Sequence, residues 1–256
     1  MKQANSAKII SSDQIAERKN VVSCTDCKLK GGCFPIALEV PTISAFNAIV
    51  QRAQPLQKGE YVFRQGSPFT ALYAVRSGAV KAHSISADGE EQITGFYMPG
   101  EIFGMDGLGN NRYATSVIAL DTASICAIPF DRLRELSVTM PTLQTHIFQL
   151  MSQAIVADQE MITLLSKYHA ERRIAVLLQR ISRHQAERKM SATKLRLPLS
   201  RMDISCYLGL TVETVSRIFS RFQKIGLLKL DNREVEILSP NWLQEIASGG
   251  LSNQVA

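Results

Sequence analysis

Between Ser200 and Leu238 the chain reads SRMDISCYLGLTVETVSRIFSRFQKIGLLKLDNREVEIL, and few folds accept such a stretch. Ser200 followed three residues later by Asp203 has capping-box spacing, which predicts a helix start. Gly209 ends that helix, and Thr211 caps a second one running to about Gly226. LLKL, the polar turn Asp231-Asn232-Arg233 and EVEIL then predict a β-hairpin. Two helices joined by a glycine-containing turn make a helix-turn-helix, and the hairpin makes it winged. On the second helix Glu213, Ser216 and Arg217 stand at i, i+3 and i+4 and share one face. Arginine on guanine and glutamate on cytosine are favoured base-edge contacts, and each good bidentate pair discriminates by roughly 1–3 kcal/mol. Arg221, one turn on, and Lys224 are expected nearer the phosphates, while Val215, Ile218 and Phe222 pack inward. Cys206, among Ile204, Tyr207 and Leu208, is expected as a small buried core residue.

Charge agrees with that placement. The net charge of the 256-residue chain is +6. Residues 1–169 hold 15 Lys+Arg and 15 Asp+Glu, whereas residues 170–256 hold 14 and 8, so the whole excess lies in the last third. A basic domain attached to a neutral one points to nucleic acid, and less often to a membrane surface. The longest apolar runs, Ala71–Val75 and Ile174–Leu178, are five residues each, against the roughly 20 that span a bilayer. The N-terminal MKQANSAKIISSDQ lacks the apolar core of a signal peptide, so a cytoplasmic protein with no membrane partner is expected.

Three of the five cysteines crowd into SCTDCKLKGGCFP, where Cys24, Cys27 and Cys33 form C-x2-C-x5-C. Clustered cysteines in a reducing compartment are read as metal ligands or redox thiols before disulfides. Gly31 and Gly32 let the backbone fold tightly beside Cys33, and Lys28 and Lys30 offset thiolate charge. Zinc wants four Cys or His ligands, usually as two close pairs, and the four histidines are scattered. Iron–sulfur clusters take four thiolates, commonly three close and one remote. Spacing alone leaves Cys126 and Cys206 both open as the fourth, and a tri-thiol zinc knuckle stays open beside the iron–sulfur reading. The expected burial of Cys206 turns the choice to Cys126.

From about Leu56 to Ile128 the chain alternates short β-type runs, such as ALYAVRSGAVKAHSI and EQITGFYM, with regularly placed glycine turns. Many short strands at intervals of roughly 8–12 residues predict an antiparallel roll or barrel. A stretch without Gly or Pro after Pro141 then runs to Lys167. In it Phe148, Met151, Ile155, Asp158, Ile162 and Leu165 recur at spacings of 3, 4, 3, 4 and 3, the heptad seam of a coiled-coil dimer. Asp158 is either solvated at the seam's edge or set against its own copy across a two-fold axis. In the second case repulsion keeps the dimer weak. Helix is expected to continue through AERRIAVLLQRISRHQAER into a loop, KMSATKLRLPL.

With these pieces the chain resembles the CRP/FNR superfamily of bacterial transcription regulators, and within it the FNR/ANR oxygen-responsive branch. The residues that carry the resemblance are C-x2-C-x5-C with a cysteine in the roll, ADQEMITLLSKYHAERRIA, and LGLTVETVSRIFSRFQ with its E-x-x-S-R. It implies an α+β chain with a cysteine-rich cluster-binding arm (1–35) and a cyclic-nucleotide-binding-like β-roll (36–140). A long dimerisation helix (141–168) and a winged helix-turn-helix (169–256) complete it. It implies that Cys24, Cys27, Cys33 and Cys126 ligate one 4Fe–4S cluster per subunit. It also implies that Glu213, Ser216 and Arg217 read TTGAT-type half-sites of a palindrome in double-stranded DNA. Ile155 and Asp158 match positions where the family's dimerisation helix is held in check. Oxygen as the signal would convert 4Fe–4S to 2Fe–2S and then to apo-protein, returning the homodimer to monomers that release DNA. Bound dimers would recruit or obstruct RNA polymerase. Cys206 is a departure, since the family does not need it.

Three other readings compete. A cyclic-nucleotide-responsive member would keep Gly100-Glu101-Ile102-Phe103-Gly104, but Arg112 is followed by Tyr113 and Ala114, without the small residue that opens a phosphate cassette. An enzyme is not expected, because the chain has no Walker A loop, G-x-S-x-G or H-E-x-x-H. A zinc- or thiol-based redox regulator would share the DNA-binding half and differ only in its sensor.

Overall fold

The computed structural model describes residues 23–27, 29, 33, 40–86 and 88–250. Most of the cysteine-rich arm, with Lys28, Lys30, Gly31 and Gly32, lies outside the described residues. The chain divides into two compact units, Met1–Gln153 and Ala154–Ala256, and the division falls inside a long helix.

Among the described residues of the first unit, α1 (Val40–Ile49) is followed by eight strands: β1 (Gln51–Arg52), β2 (Tyr61–Phe63), β3 (Ala71–Ser77), β4 (Val80–Ile85), β5 (Glu91–Tyr97), β6 (Ile102–Phe103), β7 (Ser116–Ala119) and β8 (Ser124–Pro129). They form two four-stranded antiparallel sheets, ordered β1-β8-β3-β6 and β2-β7-β4-β5, as the glycine spacing predicts. Gly78, in the turn between β3 and β4, shows why that spacing is rigid. Its φ is +77°, and a Cβ there would sit 2.3 Å from the Thr122 carbonyl oxygen. Both sheets contribute to an inner core of Val62, Phe63, Val75, Val80, Phe103, Tyr113, Val117 and Ile125. Within it Phe63 stacks on Tyr113 at 3.8 Å and Tyr73 on Phe103 at 5.5 Å, so aromatic rings occupy the roll's interior.

Strand alternation gives β3 and β8 a second buried face. Leu72 and Ile128 there meet Phe46 and Val50 at the α1 end, Leu133 of α2 (Phe130–Thr139) and Leu143 of α3 (Pro141–Lys167). The sequence reading did not foresee α1 and α2. Their apolar residues are short sets without a repeat, and the sheet face they cover is what makes them helical.

The second unit is built on α4 (Ala170–Glu187), whose Ile174, Ala175, Leu177, Leu178 and Ile181 form one buried stripe. Full burial of each Leu or Ile contributes roughly 1.5–3 kcal/mol. The helical run breaks between Lys167 and Ala170, with His169 in an extended conformation as the cap. Arg173 secures that break: its guanidinium donates to the carbonyls of Leu165 and Tyr168 at 2.7 Å each and of Leu208 at 2.9 Å. One cation thus satisfies carbonyl groups at two helix C-termini, where positive charge is favoured. Beyond α4 come β9 (Lys194–Arg196), α5 (Arg201–Leu208), α6 (Val212–Lys224), β10 (Leu228–Asp231), β11 (Glu234–Ile237) and α7 (Pro240–Ser248). The segment expected as loop contains β9, which pairs with β11 and makes the wing a three-stranded sheet ordered β10-β11-β9. Only three residues long, β9 carries too little alternation to read from sequence.

Candidate nucleic-acid interface and cysteine site

The capping box at the start of α5 is present: the Ser200 hydroxyl accepts from the Asp203 backbone N–H, and the Asp203 carboxylate accepts from the Ser200 N–H at 3.0 Å. Gly209 closes the helix at φ 60°, the left-handed conformation that glycine adopts without strain. Thr211 then caps α6 by accepting from the Thr214 N–H at 3.1 Å. Val215, Ile218, Phe219 and Phe222 are buried, so α6 is fixed by its apolar side. Phe219, which the sequence reading did not single out, also carries the Arg201 guanidinium over its ring at 3.4 Å.

The opposite face of α6 presents Glu213, Ser216 and Arg217 to solvent, with Ser220 and Lys224 beyond them. Arg217 pairs with Glu213 along the helix at 2.6 Å, and their side chains are 78% and 70% exposed. Such a pair contributes only about 0.3–0.5 kcal/mol and leaves both groups available to a partner. Arg221 is placed differently. It is half-buried and ion-paired with Glu171 in the first turn of α4, which braces α6 against α4.

The cysteines lie in the first unit, with Cys206 apart from them on α5. Cys206 is half-buried, more open than the core position expected of it, because its neighbours Ile204, Ser205, Tyr207 and Leu208 take the interior. Alternation along β8 sends Ile125 into the roll and puts Cys126 on the outer face with Ile128. Cys24, Cys33 and Cys126 all pack against the apolar cluster of Phe46, Leu72, Ile128, Leu133 and Leu143. Ile147 and Leu150 of α3 pack against the same cluster, so thiols and α3 side chains share one apolar surface.

Burial pushes the Cys24 thiol up; Arg52 draws it down and Cys27 raises it. Burial likewise pushes Cys126 up, against Arg52 and Arg76, with Cys24 and Cys27 adding to the rise. Cys24, Cys27 and Cys126 therefore lie within electrostatic reach of one another. Among the described residues no three Cys, His, Asp or Glu side chains are arranged to hold a metal ion, so the thiols gather without forming a ready-made site. The chemistry of the set still suits an iron–sulfur group: sulfur donors, partial desolvation and nearby cations to offset thiolate charge. Among the described residues none of the five cysteines is bridged in a disulfide. Arg52, whose N–H lies 3.1 Å from the Cys24 sulfur, was missed by the sequence reading. It stands 28 residues from Cys24, and no local spacing links them.

On α3, Phe148, Ile155 and Ile162 are 60%, 57% and 67% exposed. Met151 and Leu165 are half-buried and Asp158 is exposed. None of the described helices is long and apolar enough to cross a membrane.

Comparison with known proteins places these features in a lineage. Residues 53–139 match the cyclic nucleotide-binding domain family, and residues 172–246 match the Crp-like helix-turn-helix domain family. The chain is 47% identical over 228 residues to the transcriptional activator protein FnrA of Stutzerimonas stutzeri, covering 89% of this chain and 93% of that protein. It is 48% identical over 228 residues to the transcriptional activator protein Anr of Pseudomonas aeruginosa, with the same coverage of both. Among solved structures, FixK2 from Bradyrhizobium japonicum superposes with a TM-score of 0.68 at 26% identity, over 75% of this chain and 94% of that one. A β-roll followed by a Crp-like reading head, matched over nearly its full length by FnrA and Anr, makes this chain a DNA-binding transcription regulator of the CRP/FNR family and not an enzyme.

Proposed function

We propose that the protein is a cytoplasmic, oxygen-responsive transcription regulator. In this reading Cys24, Cys27, Cys33 and Cys126 hold one 4Fe–4S cluster per subunit. The relatives' names, FnrA and Anr transcriptional activators, support regulation of that kind. The observation that carries the sensor half is the common apolar surface of Cys24, Cys33 and Cys126, on which Leu143, Ile147 and Leu150 of α3 also pack.

The division of labour follows the expected segments: arm 1–35, roll 36–140, dimerisation helix 141–168 and DNA-binding domain 169–256. The chemistry a bound cluster supplies is its lability to oxygen. The chain does the rest. Thiolates engaged together pin the arm to the surface made by α1, β8 and α2. That pinning sets how Leu143, Ile147 and Leu150 pack, and through them how α3 presents its apolar stripe. Phe148, Ile155 and Ile162 are too exposed for a lone helix to bury and suit a second copy of α3. Asp158 opposes its own copy there, so the dimer forms only when the first unit holds α3 firmly. Two copies of α6 then reach both half-sites of a TTGAT-type palindrome. Glu213, Ser216 and Arg217 contact base edges, and the bound dimer recruits or obstructs RNA polymerase.

Iron and acid-labile sulfide analysis of anaerobically purified protein tests this reading. About four of each per chain is expected. Cys24→Ala and Cys126→Ser should lose them, and Cys206→Ser should keep them. Zinc without sulfide would replace the cluster by a zinc- or thiol-based sensor, and iron lost in the Cys206 variant would overturn the ligand set.

A further inference from the structure

Cys24 is held by more than its place in the arm. Its backbone N–H donates to the Asn47 side-chain oxygen at 2.9 Å. The same oxygen accepts from Arg52 Nη2 at 2.7 Å, and that Nη2 lies 3.1 Å from the Cys24 sulfur. Arg52 Nη1 donates to the Val50 carbonyl at 3.3 Å, which fixes the other arm of the guanidinium. Arg52 also stands directly opposite Cys126 in the β1–β8 register. One half-buried cation thus touches the first thiol of the cluster of three and faces the remote fourth.

We propose that Asn47 and Arg52 clamp Cys24, and that the N–H which Arg52 donates to its sulfur raises the reduction potential of the iron–sulfur cluster and prolongs its life in air. This rests on the cluster reading above. A hydrogen bond to a ligand sulfur and a fixed positive charge beside it both favour the more negative state of the group they touch. Every couple of the cluster is thereby shifted upward, so loss of an electron to an oxidant becomes harder. Asn47 is a positioning residue: its single oxygen fixes the Cys24 backbone and aims the guanidinium. A purely structural Arg52, tying the end of α1 to β1, would change stability and leave the potential alone.

The test uses full-length protein purified without oxygen. Wild type is compared with Arg52→Gln, Arg52→Lys and Asn47→Ala for iron and sulfide content, midpoint potential and loss of visible absorption in air. Arg52→Gln should keep its iron, show a lower potential and bleach severalfold faster. Arg52→Lys, which keeps the charge without the planar fork, should fall between. In apo-protein, Asn47→Ala should speed hydrogen exchange at the Cys24 amide. Arg52→Gln with full iron and a wild-type potential and lifetime would overturn the tuning. If that variant does not load, a wild-type potential and lifetime in Arg52→Lys would overturn it equally. Unchanged exchange in Asn47→Ala would overturn the clamp. Wild-type protein without iron or sulfide would defeat the cluster reading itself, an outcome distinct from a loaded protein that ignores Arg52.

Discussion

Arg217 owes little to the fold that displays it. Its side chain is 78% exposed, and it pairs along the helix with Glu213 at i,i+4. Arg217→Ala should therefore change thermal stability by less than about 0.5 kcal/mol while relaxing preference at one guanine of the half-site, by roughly 1–3 kcal/mol. Competition binding with single-base variants of the site reads this directly. Equal weakening on every sequence would make Arg217 a phosphate contact. Arg173 is the opposite kind of arginine. It donates to three backbone carbonyls at the ends of α3 and α5, and nothing hydrated can take its place without loosening both. Hydrogen bonds to a charged group contribute about 1.5–3 kcal/mol, so Arg173→Ala should lower the unfolding free energy of the protein by at least that much, measured by denaturant titration. A loss under about 0.5 kcal/mol would contradict the bracing role.

Elements that carry their own punctuation were legible from sequence. The capping box of α5, the Thr211 cap of α6 and the glycine turns of the roll each need a residue type that the local backbone alone demands. Elements defined by what they lean on were not legible. β9 exists because β11 offers it a partner, and α1 and α2 exist because β3 and β8 leave a second face uncovered. The same division holds at the site: C-x2-C-x5-C is local and readable, while Arg52 and Asn47 reach Cys24 only through the fold. The heptad of α3 stands between these cases, since the sequence names its residues and only their exposure says that they lack a cover. Asp158→Ala removes the one charge from that stripe. It should shift the protein toward dimers in air, as followed by sedimentation, and a variant that stays monomeric with and without oxygen would contradict the repulsion argument.

At the scale of the whole molecule the charge is divided as the work is. The +6 net charge lies in the last 87 residues, with the reading helix, while the neutral first part holds Cys24, Cys27, Cys33 and Cys126. Neither part suffices alone in this account: a single half-site gives one α6 too few contacts, and the second α6 arrives only with a closed α3 seam. The most direct test is binding by one anaerobic sample to a TTGAT-type palindrome and to a duplex with one half-site destroyed, repeated after the sample is aerated. Tight binding to the palindrome alone, collapsing in air to the level of the single half-site, is the predicted result. Equal affinity for the palindrome before and after aeration would contradict the account.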